Sequence, residues 1–131
     1  MEIIMILINK KLFGNKKERT FLAEDCRYKG NSAYSKEVLI NLANDKCWIV
    51  RMVVASSCGA IGNTLWTKDI LTTLVNDKNE HIRKAVARAC YEIGETPWTK
   101  TYLKILSQDR NTHVKKTAEK LFNTKRIPCN L

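Results

Sequence analysis

YSKEVLINLANDKCWIVRMVVASSCGAIGNTL (residues 34–65) lies over WTKDILTTLVNDKNEHIRKAVARACYEIGETP (residues 66–97), and that lies over WTKTYLKILSQDRNTHVKKTAEKLFN (residues 98–123), each at a shift of 32 residues. The matches fall where structure is decided. Tyr34, Trp66 and Trp98 open the units and are followed by Ser35, Thr67 and Thr99, hydroxyl residues suited to capping the first free amides of a helix. Val38, Ile70 and Tyr102 begin an apolar stripe that continues through Leu39, Leu71 and Leu103 to Leu42, Leu74 and Leu106, the spacing of one buried helical face. This predicts a helix A in each unit, ended by Asn44-Asp45, Asn76-Asp77 and Gln108-Asp109. A second stripe, Val50/Ile82/Val114, Val54/Val86/Ala118 and Cys58/Cys90/Phe122, predicts a helix B, and Gly62 and Gly94 stand just past it, where a residue free to take positive φ stops a helix. A helix pair of this size cannot bury its own stripe, so stacking of neighbouring pairs completes the core.

One further shift of 32 places Arg19 under Arg51, Ala23 under Ala55, Cys26 under Cys58 and Gly30-Asn31 under Gly62-Asn63. Residues 16–29 therefore read as helix B of an N-terminal unit. Its helix A falls on the apolar stretch Ile3–Leu12, where a helix and a short strand stay open. That stretch is short for a membrane span and is preceded by Glu2 rather than by positive charge, so it reads neither as a span nor as a signal peptide. Five scattered cysteines without a C-x-x-C pair fit free thiols, and the expected location is the cytoplasm.

The recurring words DKCWIVR, DKNEHIR and DRNTHVK, an Asp followed five residues on by Val or Ile and then Arg or Lys, resemble the junction between the two helices of HEAT repeats, especially the short units of the HEAT-like repeats of phycobilisome lyases. The resemblance covers residues 34–122 well and 16–33 weakly. It implies an all-α fold, a right-handed α-solenoid of stacked antiparallel helix pairs of the HEAT-like or armadillo type. On this reading residues 1–131 are one domain, with a degenerate capping repeat over 1–33 and repeats over 34–65, 66–97 and 98–127. Units of 32 residues are shorter than the roughly 40 to 47 of larger HEAT units, and no proline interrupts helix A. Lyase activity is not carried over, because nothing in the sequence marks a bilin site.

The residues able to carry chemistry read mostly as scaffold. Asp45 with Arg51, Asp77 with Arg83 and Asp109 with Lys115 recur in every unit, and the resemblance implies a structural ladder in which the turn Asp and the helix-B cation pair within and between repeats. His81 and His113 hold equivalent positions, yet neighbouring helices about 8–10 Å apart keep two such side chains from sharing a tetrahedral ion without a third ligand. No metal, cofactor or catalytic residue is expected. The column Cys26, Cys58, Cys90 meets the same spacing, beyond the reach of about 7 Å between disulfide α-carbons.

What remains is a face for binding. In the expected solenoid the B helices line the concave side, and the residues opposite their stripe are Met52, Ala55, Ser56 and Gly59, then Lys84, Ala87, Arg88 and Tyr91, then Lys116, Glu119, Lys120 and Asn123, with Trp48 one turn earlier. A net charge of +10, and eight basic against two acidic residues over 98–131, favour acidic partners. The expectation is a non-catalytic scaffold that binds another protein's acidic, partly apolar segment through Arg83, Lys84, Arg88, Tyr91, Lys116 and Lys120, with Trp48 and Met52 as apolar anchors. Nucleic acid binding is the alternative, with a helical-repeat DNA glycosylase or a lyase-like accessory protein as lesser readings. No membrane or small-molecule partner is expected. Burial of Trp48 and Met52 under the N-terminal unit would remove the anchors.

Overall fold

In the computed structural model, which describes residues 14–124, the chain forms seven α-helices: α1 Lys16–Lys29, α2 Ala33–Leu42, α3 Trp48–Ile61, α4 Leu65–Leu74, α5 Glu80–Ile93, α6 Pro97–Leu106 and α7 Thr112–Asn123. The even-numbered helices are the A helices and the odd-numbered ones the B helices. The stretch Ile3–Leu12 and Cys129 lie outside the described residues. No described helix is long and apolar enough to cross a membrane.

The A helices begin three residues earlier than the sequence pattern places them. Their N-caps are Ser32, Thr64 and Thr96, whose side chains accept from the backbone N–H of Ser35, Thr67 and Thr99. The later hydroxyls sit at N3 instead. Thr67 Oγ1 and Thr99 Oγ1 accept from the N-cap amides in return, completing capping boxes, and each donates to the carbonyl of the glycine that ended the preceding B helix, Gly62 at 2.7 Å and Gly94 at 2.8 Å. A hydroxyl at both the cap and the N3 position lets either start the helix on sequence alone; burial of the second decides it. At the other end Gly62 and Gly94 take φ of 103° and 109°, which a side chain at Cβ would strain.

The core is one continuous cluster of buried side chains, with a row of leucines and branched residues between the two helix layers. Leu39, Leu71 and Leu103 are equivalent and fully buried, as are Val50, Ile82 and Val114 across from them. Successive B helices contact one another far more extensively than successive A helices do. The approach of α3 to α5 is tight, and a Cβ on Gly59 would stand 2.9 Å from Ala89 Cα. This close packing corrects the list of outward residues: Ala55, Ala87 and Gly59 are buried between B helices rather than presented to a ligand. Phe122, read as part of the stripe, is exposed, because no described helix follows α7 to cover it.

Candidate binding face and the ion-pair ladder

The ladder runs between repeats, not within them. Arg19 Nε meets Asp45 Oδ2 at 2.7 Å, Arg51 Nε meets Asp77 Oδ2 at 2.9 Å, and Arg83 Nε meets Asp109 Oδ2 at 2.8 Å. Each Nη2 reaches the other carboxylate oxygen, giving the fork geometry that suits guanidinium to carboxylate. Within a unit the contact is to backbone: Arg51 Nη1 donates to the Asp45 carbonyl and Arg83 Nη1 to that of Asp77. The same carboxylates accept the N–H of Cys47, Asn79 and Asn111, so each Asp shapes its own turn while holding the preceding repeat. Arg19, which the sequence showed only as a match to Arg51, is the first rung. Lys115, at the equivalent position of α7, is exposed and forms no ion pair among the described residues, so it leaves the ladder. Arg83 belongs to the ladder alone: its side chain is about as buried as its partner's, and its fork is occupied by Asp109.

Burial by itself would raise the Asp109 carboxyl, but the hydrogen bonds from Arg83 and from the backbone of Asn111, with the nearby positive charge, hold it below its ordinary value of 3.8. A carboxyl whose folded value is depressed contributes stability above its ordinary value and loses it as pH falls through the folded value. Urea midpoints of the wild type should therefore decline on acidification below about pH 4, and Asp109→Asn, though less stable at neutral pH, should show a shallower decline there. Parallel declines for the two proteins would contradict this.

A second set of links ties an A helix to the turn that precedes the A helix of the repeat before it. Trp66 Nε1 donates to Asn31 Oδ1 at 3.0 Å and Trp98 Nε1 to Asn63 Oδ1 at 3.2 Å. The opening aromatics are thus staples between repeats. Cys26, Cys58 and Cys90 are buried free thiols, and burial pushes Cys26 up to about 11 and raises Cys58 as well, which suppresses the reactive thiolate. Among the described residues no group of three His, Cys, Asp or Glu side chains could hold a metal ion.

On the B side a groove of about 400 Å³ runs between α3 and α5. Met52 and Val53 of α3 and Ala85 of α5 give it apolar walls; Lys84, Arg88 and Glu92 stand along α5, and Glu24 and Arg27 reach in from α1. Arg27 Nη1 donates to Ser56 Oγ at 2.7 Å. Trp48 remains 37% exposed, and its ring stacks on His81 with centroids 5.1 Å apart and planes inclined by 26°. Of the residues expected on this face, the groove gathers Met52, Ser56, Lys84 and Arg88, with Trp48 bordering it through His81. Lys116 and Lys120 stand exposed one helix away on α7, and Tyr91 is half-buried outside the groove lining. Sequence reasoning did not place Glu24, Arg27, His81 and Glu92 on this face. For Glu24 a signal was available in the 32-residue register, which puts Glu24, Ser56, Arg88 and Lys120 in one column.

Stacked helix pairs joined by an Asp–Arg ladder define an α-helical repeat protein. A family model described as HEAT repeats matches residues 37–122, more than half of the chain, and the chain belongs to that family. No curated protein matches it.

Proposed function

We propose that this chain is a non-catalytic scaffold whose B face binds an acidic, partly apolar segment of another protein. The observation that carries the reading is the α3–α5 groove, with apolar walls and with Lys84 and Arg88 free of ion pairs among the described residues. Lys116 and Lys120, equally free, extend the positive surface, Tyr91 belongs to the same proposed face, and Trp48 and Met52 supply apolar contact. A scaffold role is supported by the recurring carboxylates, each saturated by an Arg fork and a backbone N–H and so unavailable as acid or base. Glu24 and Glu92 inside the groove weigh against a polyanion, which they would repel, and favour a segment of mixed charge.

The test is capture from cell extract, with and without nuclease, by the wild type and by the triple variant Lys84→Glu, Arg88→Glu, Lys120→Glu. Capture should be nuclease-resistant and lost in the variant, while the thermal melt changes little, because exposed charges contribute roughly 0–1 kcal/mol each. Trp48→Ala should weaken capture as well. Nucleic acid binding, the second reading, draws on the basic excess of residues 98–131; it requires the logarithm of the affinity to fall linearly with the logarithm of salt concentration, and indifference to Trp48→Ala. Undiminished capture by both variants would place the partner on another face.

A further inference from the structure

Resting on that reading, we propose that the segment taken by the groove is an amphipathic α-helix with an apolar stripe, flanked by two acidic residues and one basic residue at successive i, i+4 and i+8 positions. Along α5, Lys84, Arg88 and Glu92 stand one turn apart and all three line the groove. The order of charge along that edge is positive, positive, negative, at intervals of about 6 Å. None of the three is neutralised by an ion pair among the described residues. The complementary partner reads acid, acid, base, in one chain direction or the other.

Spacing alone does not separate a helix from an extended strand, because alternate residues of a strand recur at nearly the same interval. The walls do. Met52, Val53 and Ala85 line the groove with apolar surface, and the backbone of α3 and α5 beside them is engaged in its own helical bonds. An extended segment laid there would bury peptide N–H and C=O groups with nothing to pair them, whereas a helix brings its hydrogen bonds with it. The charges also drift around α5 by about 40° per four-residue step, and the i, i+4 row of a second helix meets them when the two axes cross at about −50°.

The probes are synthetic peptides of one length, titrated against the intact chain by fluorescence anisotropy. One pair, made in both chain directions, is helical and carries Glu-x3-Glu-x3-Lys beside a leucine stripe. A second exchanges the signs of the charges. A third sets the same charges at alternate residues of a non-helical sequence. One of the first pair should bind at least about tenfold more tightly than the second and third. Arg88→Glu should weaken it about tenfold, and a Lys in place of the middle of the three charged residues of that peptide should restore the binding. Equal affinity for the alternating peptide would overturn the helix and leave the acidic-segment reading standing. Equal affinity for the sign-exchanged peptide, or no rescue, would overturn the charge order. Failure of every acidic peptide to bind would overturn this inference together with the reading beneath it.

Discussion

Asp77→Ala is expected to destabilise the protein by about 3–5 kcal/mol, the range for removing one partner of a buried pair. Asp77 sits at the joint between the second and third repeats. It holds the Arg51 fork at 2.9 Å and 3.3 Å and accepts the Asn79 N–H at 2.9 Å, with both paired side chains about nine-tenths buried. Truncation leaves the Arg51 charge desolvated and the turn before α5 without its acceptor. The expected size reflects that uncompensated charge rather than the net worth of the pair. Arg51→Met combined with Asp77→Leu should therefore recover much of the loss, though not the part that came from the Asn79 turn. Because repeats contact only their neighbours, urea unfolding of Asp77→Ala should also broaden as the two halves uncouple. A midpoint shifted by less than experimental scatter, or a double variant no better than the single one, would contradict the account.

Leu71→Ala should cost about 2–5 kcal/mol. Leu71 is fully buried in α4, the central A helix, with Leu39 of α2 and Leu103 of α6 in the equivalent positions. Its loss opens a cavity that the packed B helices behind it have little room to close, since Gly59 already lies in tight contact with Ala89. Denaturant unfolding followed by circular dichroism measures the effect. A loss well under 1 kcal/mol would mean that the layers repack freely and that the core is looser than the burial of these leucines indicates.

Helix type and order, the stacking of pairs and the row of buried leucines are legible in the amino-acid sequence alone, because each depends on spacing within about 14 residues of chain, where the 3.6-residue period is strong. Gly62 and Gly94 are legible as helix stops for a local reason too. The partner of each ladder aspartate is not. Asp77 lies six residues before Arg83 and 26 after Arg51, both are arginines at equivalent places, and only the stacking of one repeat on the next selects Arg51. The same stacking commits Arg83 to Asp109 and so withdraws from the binding face a residue that its helical position had placed there. It buries Ala55 and Ala87, which point away from the stripe of their own helix but into the neighbouring one. It also lays His81 against Trp48 and brings Arg27 to Ser56 from 29 residues away. A sequence carrying a clear period determines what each repeat is; which side chains are left over for a partner is decided only when the repeats touch, because burial between helices depends on their distance and not on either helix alone.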